Sequence, residues 1–149
     1  MADLPADVAA FFDSYRRSFE RYEVEAVAGH FAFPIHIAGD AAVVSVRVVP
    51  TREDWLPQLD RLLGMYRALG VHSARMLESS AHEISEHLVL VTARWALADA
   101  AARPLYQFNA AYTLARIDGN VRIVALAHDE IPQYQGALAR RRSGVGDGG

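Results

Sequence analysis

Leu88-Val89-Leu90-Val91-Thr92-Ala93-Arg94-Trp95-Ala96-Leu97-Ala98 runs into a turn and then into a second long stretch, Pro104 to Ile117, with Tyr106, Phe108, Ala110, Tyr112 and Leu114 at every other position. A period of two over that length is the pattern of a strand. It begins near residue 71 and predicts strands over 71–84, 88–98, 104–117 and 121–131. Ser85-Glu86-His87, Asp99 to Arg103 and Asp118-Gly119-Asn120 are the turns between them. The preceding seventy or so residues read differently, as helices with one apolar face each. Helices first and strands afterwards argue for an α+β fold, in which helices cover one face of an antiparallel sheet.

The helical half has clear marks. Val8, Phe11, Phe12, Tyr15, Phe19 and Tyr22 form a stripe over residues 6–22, with Asp13, Arg16, Arg17 and Glu20 opposite. A shorter helix fits 23–31, ended by Phe33-Pro34, because the residue before proline is pushed out of the helical region. Ile35-His36-Ile37 reads as a short strand, Gly39-Asp40 as a turn, and Val43 to Val49 as a β-branched strand closed by Pro50. Thr51 is the N-cap of a third helix, with Asp54 at the capping-box position. Trp55, Leu59, Leu62, Leu63, Tyr66 and Leu69 follow at helical spacing, and Gly70 ends the helix. Pro57 is expected to push the regular helix start a few residues on. Helices on one side of a long twisted sheet make a cone whose wide end stays open as a pocket.

Size and composition narrow the function. A chain of 149 residues is long enough to bury roughly 68–70% of its unfolded surface in one domain. That domain is expected over residues 1–132. Arg140-Arg141-Arg142 and the glycine-rich end show no apolar period, so 133–149 is expected to be a disordered tail. With no cysteine, disulfides, thiolate catalysis and cysteine-ligated zinc are excluded. The net charge of −3 gives no general attraction to nucleic acid. The opening Met1-Ala2-Asp3-Leu4-Pro5 shows no secretory signal. Leu88 to Ala102, interrupted by Arg94 and Asp99, is too short and polar for a membrane span. A cytoplasmic protein is the expectation. His82 and His87 are five apart, so they share no helical face and do not make a zinc-protease motif.

The organisation resembles the NTF2-like superfamily, the cystatin-like α+β cone, in its SnoaL-like branch. Phe11-Phe12-Asp13-Ser14-Tyr15-Arg16-Arg17-Ser18-Phe19 looks like the family's first helix. Ala26 to Ile37 looks like its second helix breaking into the first strand. Arg94-Trp95 and Tyr112-Thr113-Leu114 sit as in the central strands, and Asp118 to Ile123 followed by Ala127-His128 looks like the final hairpin. The resemblance covers about residues 6–131. It implies a curved antiparallel sheet wrapped around three N-terminal helices, an internal pocket, and a homodimer formed through the outer sheet face. Isomerases, dehydratases, epoxide hydrolases, polyketide cyclases and binding proteins share this fold, so the site decides the function.

Candidate catalytic groups are His36, His128 and Tyr15. His36 lies where isomerases of the family place a carboxylate, Asp40 being too far along in a turn. Arg94 is followed by Ala96 and not by the acid that the hydrolases need. A dehydratase-like pair requires His36 or His128 with Asp129 or Glu130. Candidate binding residues are Trp55, Tyr66, Arg94, Trp95, Phe108, Asn109, Tyr112 and Glu130. Arg94 in an apolar strand is the most suggestive, because a buried guanidinium needs a partner. The last hairpin can be counted in two registers. One sets Tyr112 opposite Ala127, with Ala125 and Asp129 on its face. The other sets it opposite Leu126, with Val124, His128 and Glu130 on its face. A slip of one residue exchanges the whole set. The second is preferred for the Tyr–His pair it makes. The leading expectation is a cofactor-independent binder of a small hydrophobic molecule. The alternatives are an acid–base enzyme of the isomerase, dehydratase or cyclase kind, and a protein-interaction domain.

Overall fold

The computed structural model describes residues 4–147, with side chains described over 4–144. The elements are α1 (Ala6–Glu20), α2 (Val24–Ala28), β1 (Phe31–Gly39), β2 (Ser45–Val49), α3 (Arg52–Leu69), β3 (Ser73–Glu83), β4 (Leu88–Ala98), β5 (Pro104–Ile117), β6 (Asn120–His128) and α4 (Glu130–Asp147). Six strands form one curved sheet in the order β2-β1-β6-β5-β4-β3. Neighbours are antiparallel apart from β1 and β6. The α+β architecture is the one the pattern predicts, with α1 to α3 packed on the inner face.

The stripe of α1 buries Val8, Phe11, Phe12 and Tyr15. Trp55, Leu59, Leu63, Tyr66 and Leu69 do the same for α3. Full burial of a side chain such as Leu59 or Leu63 stabilises by about 1.5–3 kcal/mol. Thr51 caps α3, its hydroxyl oxygen accepting from the Asp54 N–H at 3.2 Å. The helix starts at Arg52 and includes Pro57, so the proline does not delay it. At the other end Gly70 has φ 84°. Its N–H donates to the Arg67 carbonyl, and the Val71 N–H donates to Tyr66. This Schellman motif fixes where the last turn, and therefore Tyr66, stops.

Three further expectations need correction. The second helix is shorter than 23–31, because β1 already pairs with β6 at Phe31. Phe33-Pro34, a cis peptide, lies inside β1. The β1–β6 register shifts between Phe31 and His36, where Pro34 has no N–H for the ladder. In the last hairpin Tyr112 does pair with Leu126, but not through a three-residue turn. Asp118 and Gly119 both have positive φ, a two-residue connection that joins Ile117 to Asn120. The register then shifts between Thr113 and Leu114, leaving Val124 as a bulge. Residues 121 and 123 before it face the core, and 126 and 128 after it face inward further along.

The third correction concerns the tail. Residues 133 onward continue α4 to Asp147 and are not disordered over the described range. Tyr134 and Ala137 are buried, with Leu138 packed beside them. The Tyr134 hydroxyl donates to the Met65 carbonyl at 2.9 Å. Arg141 donates to the carbonyls of Leu69 and Ala68 at 2.5 and 3.2 Å, the groups a helix C-terminus leaves free. Gly148 and Gly149 of the expected tail, like Met1 to Asp3, lie outside the described residues.

Candidate functional site

Between the sheet and the helices α1 and α3 lies a cavity of about 350 Å³, within the range of small-molecule sites. Strand alternation decides its inner wall. Trp95 on β4 and Phe108, Ala110 and Tyr112 on β5 point in, and Arg94 and Asn109 between them point out. The helices add Tyr15, Phe19, Trp55, Leu59, Leu62, Met65 and Tyr66. β6 contributes Leu126 and His128, and Glu130 follows at the first position of α4.

Glu130 is the centre of the site. It is 7% exposed, and its Oε2 accepts from two tyrosine hydroxyls. One is Tyr66 of α3; the other is Tyr106 of β5 at 2.8 Å. Its Oε1 receives no hydrogen bond among the described residues. Burial pushes the Glu130 carboxyl from an ordinary 4.5 up to about 7; the two hydroxyls oppose the rise and Asp129 adds to it. A carboxylate this far up can take or release a proton near neutrality. His128 sits beside it. Its Nδ1 accepts the Glu130 backbone N–H at 3.2 Å, which places the neutral ring's proton on Nε2. Burial, with help from the charge of Arg47, holds the imidazole below its ordinary pKa, against the pull of Asp129.

Elsewhere in the lining are hydrogen-bonding groups with capacity to spare. The Trp55 indole N–H and Gln58 Oε1 are buried on the wall without partners among the described residues. An unmet buried polar group costs about 1–3 kcal/mol. The Trp95 N–H donates to the Tyr112 hydroxyl at 3.0 Å, which leaves the Tyr112 proton to be given elsewhere. Tyr15, with its ring centroid 6.3 Å from that of Tyr112, makes no side-chain hydrogen bond among the described residues. Burial raises the pKa of both phenols, so both remain protonated donors. The cavity therefore combines one base and several unspent donors in apolar surroundings.

The structure brings together Tyr15, Trp55, Tyr66, Trp95, Phe108, Tyr112, His128 and Glu130 around one cavity. It does not bring His36, Arg94 or Asn109 there. His36 is exposed on the outer face, because Ile35 and Ile37 on either side point into the core. Arg94 is likewise exposed, its Nε donating to Gln107 at 2.8 Å. It is not a buried cation, and Gln107 and solvent are its partners. Asn109 donates from its backbone and side chain to Asp129 on the outer face, at 2.7 and 3.1 Å. Tyr106, Gln58, Arg47 and Arg61 join the site, though none of them is among the candidates above. Tyr106 shares the parity of Phe108 and Tyr112, and Gln58 lies one turn after Trp55, so periodicity holds both signals. Among the described residues no group of three metal-ligating side chains is close enough to hold an ion. No helix there is long and apolar enough to cross a membrane.

A curved sheet closed over three helices around a cavity is the NTF2-like, cystatin-like α+β cone. Residues 6–131 match the family described as NTF2-like protein (DUF6841), and the chain belongs to it. No curated protein matches. Among solved structures the chain is similar to an NTF2-like protein of unknown function from Shewanella oneidensis. That likeness is 13% identical, covers 83% of this chain and 96% of the other, and has a TM-score of 0.66. It is similar to a cystatin-like-fold protein from Nostoc punctiforme at 10% identity, 86% and 94% coverage and a TM-score of 0.66. The protein Aln2 from a Streptomyces species gives 14%, 85% and 94%, and 0.67. At these identities the likeness is one of fold.

Proposed function

We propose that the chain is a cofactor-independent acid–base enzyme that moves a proton next to a carbonyl on a small, mainly apolar molecule, as isomerases, dehydratases and cyclases of the SnoaL-like kind do. The observation that carries this reading is Glu130, a carboxyl buried in the cavity with two tyrosines on one oxygen and no hydrogen bond on the other among the described residues, its pKa pushed up to about 7 by burial. In this reading Glu130 is the base. Tyr66 and Tyr106 hold Oε2 and so aim Oε1. Tyr15, Tyr112 and the Trp55 N–H are the donors that receive the substrate oxygen as negative charge grows on it. The test is deuterium uptake from heavy water into a panel of small cyclic ketones and enones, followed by mass spectrometry. Uptake is expected to rise with pH through about 7 and to vanish in Glu130→Gln. Equal uptake in that variant, or none with any ketone, overturns the reading.

The second reading is a non-catalytic binder, favoured by the preponderance of aromatic and aliphatic wall. In that case Glu130 serves only to tie α3, β5 and α4 together. A homodimer through the outer sheet belongs to either reading. Leu88 and Leu90 stand 39% and 41% exposed there, and a doubled mass in light scattering is the expected result.

A further inference from the structure

The cavity's rim carries two cations with no acid to answer them. Arg47 of β2 and Arg61 of α3 both line it, and both side chains are exposed, so they stand where it meets solvent. Neither forms an ion pair among the described residues. They are close enough to disfavour each other's charge: partial burial, and then Arg61, lower the pKa of Arg47. Arg47 also bears on His128. The other charges on the wall are committed. Glu20 accepts from Arg16 at 2.8 Å and from the Ala74 N–H at 2.9 Å, and Glu130 is held by its tyrosines. Two guanidinium groups that repel across an opening form a site for an anion. Their planar forks fit a carboxylate.

We infer that the molecule taken by this cavity is an amphipathic carboxylate, its anionic end held between Arg47 and Arg61 and its apolar body laid along the aromatic wall toward Glu130. This deepens the enzyme reading, since it rests on the same cavity being the substrate site. It also orients the substrate. The anion stays at the rim, away from the negative charge that Glu130 carries once ionised. The reacting carbon is then set by distance from the carboxylate.

The experiment is a binding comparison that needs no turnover. Trp55 and Trp95 are the chain's two tryptophans, and both line the cavity, so their fluorescence reports occupancy. The probes are 6-phenylhexanoate and its neutral amide, titrated into the protein at low and at high salt. The carboxylate is expected to bind about tenfold or more tightly than the amide at low salt, as charge-assisted hydrogen bonds allow, and to lose that margin at high salt. Arg47→Gln/Arg61→Gln should remove the margin and leave amide binding within about twofold. Arg94→Gln on the outer face should change neither. Equal affinity for the two probes, or a margin that survives the double variant, overturns the anion end and leaves the deuterium test of Glu130 untouched. No quenching by either probe at millimolar concentration overturns the inference and removes the open cavity on which both readings stand.

Discussion

The two faces of the same sheet carry the same residue types to different ends. On the inner side Glu130 is shut away from water, with two hydroxyls on one oxygen. On the outer side Asp129, the preceding residue, accepts from Asn109 in contact with solvent. Trp95 and Arg94 divide the same way, and so do Phe108 and Asn109. A carboxylate outside is hydrogen-bonded by its neighbour and by water. One inside retains an unmet demand for a proton, because ionisation in an apolar surrounding is disfavoured. The lesson is that chemistry here follows from strand parity more than from composition.

The largest effect that sharpens this contrast is catalytic. Glu130→Gln should lower kcat/KM about 10²–10⁴-fold on whichever substrate is turned over, the range for a general base. Asp129→Asn, one residue away, should leave it within about threefold. If the two variants lose equally, the division between faces is broken.

Stability against pH comes next. Below pH 4.5 the Glu130 carboxyl is protonated in the folded and unfolded chain alike. Between 4.5 and about 7 the unfolded chain releases a proton that the folded chain keeps, so stability falls as pH rises. Above that the loss is complete, at about 3 kcal/mol. Urea denaturation at several pH values should show the fall in the wild type, and Glu130→Gln should flatten it. A smaller catalytic effect is expected from Tyr15→Phe, about tenfold to hundredfold in kcat with little change in KM, since the donor acts as charge develops. The smallest is Arg94→Ala, whose melting free energy should move by no more than about 0.5 kcal/mol.

Much of this is legible in residue patterns. Strands 88–98 and 104–117 and the aromatic wall follow from period-two spacing, and α1 and α3 from period three to four. Strand alternation puts Glu130 on the face of Tyr112, whereas it reaches the cavity from the start of a helix. His36 and Arg94 mislead because polar residues among apolar ones read as buried; their neighbours are, and they are not. The fourth helix hides behind its glycines and arginines, although Tyr134, Ala137, Leu138 and Arg141 recur at helical spacing. What no pattern holds is the bulge, since an extra residue in a ladder leaves no mark in hydrophobicity.

That bulge at Val124 works as a phase shifter. Continued without it, the hairpin's pairing would set Ala125 against Tyr112 and Ala127 against Ala110, two methyl groups lining the hollow. With it, Leu126 and His128 take those places. One strand thereby plugs the tapered end with Val121 and Ile123 and furnishes the wide end independently. Insertions or deletions on its far side could retune reactivity without disturbing the plug.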